Sequence, residues 1–337
     1  MNVSEWLVLP SQVQQGISWL FLLVGLAGSM SNAVSAVVYG AGSSLSINIM
    51  LTSLSVADAG VCGCLLFMFG LVMFREHLPR QLISRLVLLV LYPFARVLRS
   101  ISIWLLVVIT AERAMAVAQP LAVSRTFTRK RAAATVLLIW LGSLAFNGIR
   151  FWEHRTPDAN STNQLIAQSL RSSSIYVVWY VHCGTLMVDV LVPFLLIATF
   201  SCQARYSLAR AASFRRKRCS RIGSNVSTMR MMMYVVIVFV ITSTVGASLN
   251  LLEALRPDVF LTDFGFLLSD VNNLTILLNS AANPLFYYKF SSRYRARLLQ
   301  LVTWMRRRPH RRPYTDRSAR SPVVYSQQET GMPETTV

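Results

Sequence analysis

Acidic residues are scarce in this chain, 14 against 33 lysines and arginines, and charged residues of every kind make up only 14%. A water-soluble domain needs more charge on its surface. Here 54% of the residues are hydrophobic and the mean hydropathy is +0.48, which places the chain in a membrane. The net charge of +19 does not point to nucleic acid, because the basic residues cluster in particular loops and no groove-reading motif accompanies them. Catalytic signatures are missing too: the spans hold no G-x-S-x-G, no H-E-x-x-H and no paired catalytic aspartates, so the chain reads as no enzyme. There is no internal repeat, which counts against transporters built from duplicated halves. A membrane transporter or channel is therefore the less favoured reading.

What the chain does have is seven apolar runs, near 17–39, 47–74, 84–117, 132–152, 175–203, 228–254 and 262–288. Each approaches or exceeds the roughly 20 residues that cross a bilayer, and only closed helices satisfy backbone groups there. The expected fold is an all-α membrane protein, a seven-transmembrane helix bundle over 17–288, after a short N-terminal segment, 1–16, that lies outside the cell. The first run lacks a basic region before it and is long enough to span, so it reads as a membrane helix rather than a signal peptide. Counting lysine and arginine orients the bundle. With the N-terminus outside, the inner loops and tail carry 22 and the outer loops 7, and the C-terminus falls in the cytoplasm. Glycosylation sequons at Asn2 and Asn160 fall outside in this arrangement; those at Asn225 and Asn273 do not.

The stretch Tyr92 to Pro120 draws the rest together. It places Arg96 and Arg99 in apolar surroundings and closes on Glu112 and Arg113, where the run gives way to a loop. Charges inside or at the edge of hydrocarbon cost several kcal/mol and need a partner or a task. Glu112 can neutralise Arg113 within one helical turn, or Arg113 can simply snorkel to water. Polar residues inside other spans add to this: Asp58 in the second, Ser102 in the third, Asn279, Ser280 and Asn283 in the seventh. Such a cluster either holds Na⁺ or a proton or forms a static hydrogen-bond network. Pro284 is expected to break the seventh helix beside it.

Seven helices with Asn32 in the first, "LSVAD" ending at Asp58, "ERA" at Glu112 to Ala114, Trp140, Pro193 and "NPLFY" from Asn283 to Tyr287 together resemble a rhodopsin-like (class A) G-protein-coupled receptor. The stretches around Arg96 to Arg113 and Asn272 to Arg295 are similar to invertebrate neuropeptide receptors of the FMRFamide and myosuppressin type. The resemblance implies an extracellular ligand, a neuropeptide or in a chemosensory or orphan member some non-peptide molecule, and a heterotrimeric G protein as partner. It makes Glu112 and Arg113 a conformational latch, Asn283, Pro284 and Tyr287 parts of the activation switch, and Asp58, Ser102, Asn279, Ser280 and Asn283 a sodium pocket. Na⁺ is then an allosteric modulator, and no other cofactor is expected.

Departures from that pattern matter. The third-helix position that most members use for a disulfide is Leu88 here, and the five cysteines (Cys62, Cys64, Cys183, Cys202, Cys219) read as free thiols. A bridge contributing about 2–4 kcal/mol is thus missing from the outer end. Ser243 and Val245 stand where the toggle tryptophan and the proline of the sixth helix would fall, and Ser201 where a tyrosine is common. The ligand pocket is expected among Arg96, Arg99, Asp189, Glu253 and Asp270. An Arg99–Asp189 ion pair there would be structural; an arginine left over would bind an acidic ligand group, while the acids would capture a basic one. Lys289 to Met305 reads as an amphipathic eighth helix lying on anionic membrane lipid, followed by a basic, disordered tail over 306–337 that can meet arrestin. The terminal residues ending at Val337 resemble a ligand for a PDZ protein.

Overall fold

A computed structural model describes residues 11–41, 45–70, 86–153, 170, 173–214 and 220–306. Asn2, Asn160, Cys219, Val337 and most of the basic tail lie outside the described residues. The elements are helical throughout: α1 (Ser11–Gly40), α2 (Ser46–Gly70), α3 (Val87–Ala118), a short helix Pro120–Thr126, α4 (Arg129–Asn147), α5 (Tyr176–Arg210 as its apolar span), α6 (Ser220–Leu255), α7 (Asp263–Phe290) and α8 (Ser292–Arg306). The first six numbered helices are each long and apolar enough to cross a membrane. α7 is the exception in composition. Asp270, Asn272, Asn273, Asn279, Ser280 and Asn283 interrupt its apolar run, and it packs against α1, α2 and α6.

Local chemistry sets the helix ends. Thr128 accepts from the Arg131 backbone N–H at the start of α4 and Thr262 from that of Gly265 at the start of α7, each filling one of the donors that a first helical turn leaves open. Ser291 does the same for Tyr294 at α8.

Prolines shape the helices without ending them. Pro93 and Pro193 lack an N–H, so the carbonyl four residues before each has no helical donor. In both places the ladder slips to a π-turn just ahead of the proline: the Tyr92 N–H bonds Val87 O, and the Val192 N–H bonds Met187 O. Pro284 does not break α7, contrary to the sequence expectation; the helix runs through it to Phe290. The reason is a substitute donor. The carbonyl that Pro284 leaves unpaired belongs to Ser280, and Asn32 Nδ2 of α1 donates to it at 2.9 Å.

α3 is the central helix, with Ile101, Leu105 and Ile109 fully buried. α1 approaches its neighbours through glycine: a Cβ on Gly28 would fall 2.8 Å from Cys62 Sγ and 2.9 Å from Ala281 Cβ. Leucines such as Leu23, Leu137, Leu138 and Leu141 face outward on α1 and α4, as a lipid-facing surface requires.

Candidate functional site

Three polar sites occur along the bundle, and α3 contributes to each. The first is a cavity of about 270 Å³ toward the end of the bundle that bears the 256–262 connection. Tyr92, which follows one proline-linked π-turn, and Asp189, which lies within the other, line it together with Arg96, Arg99, Arg150, Asn250, Glu253 and Asn272. The Arg99–Asp189 pair considered from sequence does not form. Asp189 instead accepts a hydrogen bond from Ser100 Oγ at 2.8 Å and pairs with Arg96 at 3.7 Å. It meets the face of α3 that carries Arg96 and Ser100, four residues apart, while Arg99 turns toward Gly246 of α6. Asp270 also departs from expectation and does not line the cavity. On α7 the lining residues Ser269, Asn272, Asn273 and Ile276 recur at helical spacing, and Asp270 is one step of the helix away from that face.

Arg150 is the functional-end residue that the sequence did not disclose. It falls near the end of the fourth apolar run, is only 1% exposed and lies inside the bundle. It donates to Tyr92 OH at 2.9 Å, to Thr185 Oγ1 at 2.9 Å and to Glu153 Oε2 at 3.4 Å, and its guanidinium stacks 5.0 Å from the Tyr180 ring. One side chain therefore ties α3, α5 and the segment after α4 at the end where a disulfide is missing. The one sequence signal was an arginine followed by a glutamate three residues on, in an apolar stretch. Cys62, Cys64, Cys183 and Cys202 carry free thiols, as expected.

The second site is the network around Asp58, which is fully buried. Ser102 Oγ donates to Oδ1 at 2.7 Å and Asn283 Nδ2 to Oδ2 at 2.7 Å. Ser280 and Asn279 border a small cavity of about 10 Å³ next to Ser102, room for one water-sized particle. One carboxylate with a hydroxyl beside it is a hard oxygen set of single charge, which fits Na⁺ in kind, while Asn283 turns its amide nitrogen to Asp58. Among the described residues no three His, Cys, Asp or Glu side chains gather as a multivalent metal site would need.

The third site lies at the opposite end. Arg113 Nη2 pairs with Glu112 Oε2 at 3.1 Å, and Ser46 Oγ at the start of α2 donates to Glu112 Oε1 at 2.8 Å. Glu112 is buried and Arg113 half-buried, so the pair has a held partner and an accessible one. Close by, the Tyr287 ring is buried edge-on against Tyr39 and tilted against Tyr294, whose hydroxyl bonds Ser35 at 2.8 Å.

The family described as 7 transmembrane receptor (rhodopsin family) matches residues 33–287. The FMRFamide peptide receptor frpr-18 of Caenorhabditis elegans is 26% identical over 301 residues, 86% of this chain and 69% of that protein. The FMRFamide receptor of Drosophila melanogaster is 27% identical over 301 residues, 86% of this chain but only 54% of that protein, so the match spans about half the length of the fly receptor. Melanopsin of Rutilus rutilus is 29% identical over 163 residues, covering 46% of this chain and 31% of that one.

Proposed function

The chain belongs to the rhodopsin family of seven-transmembrane receptors, and on that premise we propose that it converts binding of an extracellular neuropeptide into activation of heterotrimeric G proteins. The observation that carries the reading is the disposition of α3. One helix lines the ligand-sized cavity with Arg96 and Arg99, supports Asp58 through Ser102, and ends in the Glu112–Arg113 pair. Relatives named for FMRFamide supply the peptide class.

In this reading Arg96, Arg99, Asp189 and Glu253 contact ligand, with Asp270 no longer favoured. Arg113 leaves Glu112 to receive the G protein, and Asn283, Pro284 and Tyr287 carry the change between the ends. No bond is made or broken: ligand shifts a two-state equilibrium by its differential affinity for the active form. Asp58, Ser102, Asn279, Ser280 and Asn283 would hold Na⁺, whose charge would balance the carboxylate when bound. The basic loops support a cytoplasmic C-terminus, with α8 on anionic lipid, arrestin and a PDZ protein as tail partners, and carbohydrate on Asn2 and Asn160.

The test is a G-protein activation screen in intact cells, with amidated neuropeptides added from outside. A response is expected that disappears in Arg113→Ala while surface expression remains, and it would report the orientation as well. Normal signalling by that variant would remove the latch assignment.

A further inference from the structure

The cavity floor holds more cation than acid, because Arg96 and Arg99 both feel the charge of one acid, Asp189. Three arginines line the cavity. Arg150 has Glu153 at 3.4 Å and Arg96 has Asp189 at 3.7 Å. Asp189 accepts from Ser100 on one oxygen, and its other oxygen faces Arg96 without a hydrogen bond. Arg99 has neither an ion pair nor a hydrogen-bond acceptor among the described residues. Together with Ile276 it lines both the large cavity and the small one beneath it, which places it at the floor.

We infer that Arg99, with Arg96 beside it, forms an anion-recognising subsite, and that the ligand presents a carboxylate there. The inference rests on the cavity being the ligand site, and it decides between the acidic and the basic ligand group that the sequence left open. Its chemistry is specific. A guanidinium offers planar paired donors that match a carboxylate, and Arg96 Nε is a further buried donor with no hydrogen-bond acceptor, one helical turn away on the same face. A neutral carbonyl could accept those bonds but would leave the charge unbalanced, and in these low-dielectric surroundings an unbalanced charge matters far more than in water.

Gly246 makes the placement workable. A Cβ there would fall 3.3 Å from Asn272 Oδ1, a tight approach, and 3.6 Å from Arg99 Nη2, an ordinary contact, so the glycine keeps α6 close to both groups. Asn272 Oδ1 is itself a buried acceptor without a donor, available to an N–H that flanks the ligand's carboxylate. A basic ligand group reaching this depth would meet Arg96 and Arg99 together, two positive charges against the one of Asp189. Glu253, the cavity's other acid, stands about two turns further along α6 than Gly246.

The test uses small probes on the purified full-length chain in lipid nanodiscs at fixed ionic strength, with thermal unfolding as the readout. N-acetyl-phenylalanine carries a terminal carboxylate, N-acetyl-aspartate amide a side-chain carboxylate, and N-acetyl-phenylalanine amide none. At least one acid probe is expected to stabilise the chain where the amide does not, and which one responds identifies the source of the carboxylate. In Arg99→Gln the apparent affinity for that acid is expected to fall roughly tenfold or more, and Arg99→Lys should retain part of it. Equal stabilisation by acid and amide, no response to either acid, or an unchanged response in Arg99→Gln would overturn the inference. Should Arg99→Gln not fold, the acid-against-amide comparison on the unaltered chain decides. Failure of the receptor reading shows separately, as absence of nucleotide exchange on Gα, which this measurement does not involve.

Discussion

Arg96, Arg99 and Arg150 are the same residue type near one end of one bundle, yet each has a different situation, and the difference lies in what the neighbouring helices bring. Arg150 is the most constrained. Its three acceptors and its aromatic neighbours come from α3, α5 and Glu153, so removing the guanidinium takes a paired charge from beside the buried Glu153 and three hydrogen bonds from the junction. Arg150→Met is therefore expected to destabilise the chain by about 3–5 kcal/mol, measured by thermal or denaturant unfolding in nanodiscs. Arg150→Met combined with Glu153→Leu should cost less than Arg150→Met alone, and additive losses would show that the pair is not the hub. Arg150 lies inside the fourth apolar run, 132–152, and sequence reasoning passed over it because position along the chain does not tell where a side chain turns. Asp58, Ser102 and Asn283 were legible because their type and depth are themselves improbable in an apolar span. The choice of Arg96 over Arg99 as partner for Asp189 was not, since three residues on one helix face are distinguished only by the level at which α5 meets them.

Among the elements, helix existence followed from hydropathy and the shape of each helix from proline and glycine. The two π-turns precede Pro93 and Pro193, and the continuity of α7 depends on Asn32, which no inspection of α7 alone reveals. The same donor helps to hold α1 against α7, and Gly28 makes room for it four residues earlier. Adding a methyl at Gly28 would place carbon 2.9 Å from Ala281 Cβ and 3.4 Å from Ala281 Cα, so backbone rather than a flexible side chain must give way. Gly28→Ala is expected to cost about 1–3 kcal/mol by overpacking. The matched control is Gly142→Ala on α4, where a Cβ meets nothing within 4 Å. A loss in thermal stability for Gly28→Ala no larger than that of the control would mean that α1 can shift outward at little cost, and that the Asn32 bond does not fix its place.

For the whole molecule, hydropathy made the helix bundle legible, whereas the content of the polar interior depended on contacts between helices far apart in sequence. Asp58 and Asn283 are joined across 225 residues, and Ser102 completes the bridge from α3. That network stands between the cavity and the Glu112–Arg113 pair, where an ion could bias the balance of the two ends. Asp58 is buried with hydroxyl and amide donors and no ion pair among the described residues, and an ionised carboxylate so placed is costly unless a cation balances it. If Na⁺ supplies that balance in the resting arrangement, mass action fixes the scale: at ten times its dissociation constant it adds about 1.4 kcal/mol. The purified chain is thus expected to unfold at higher temperature in NaCl than in KCl of equal ionic strength, and Asp58→Asn should abolish the difference by removing the charge the ion answers. Equal unfolding temperatures in the two salts, with Asp58→Asn folded and unchanged, would leave a static network in which the Ser102 and Asn283 hydrogen bonds hold the helices together without an ion. α3 would then connect the two ends through packing and hydrogen bonds alone.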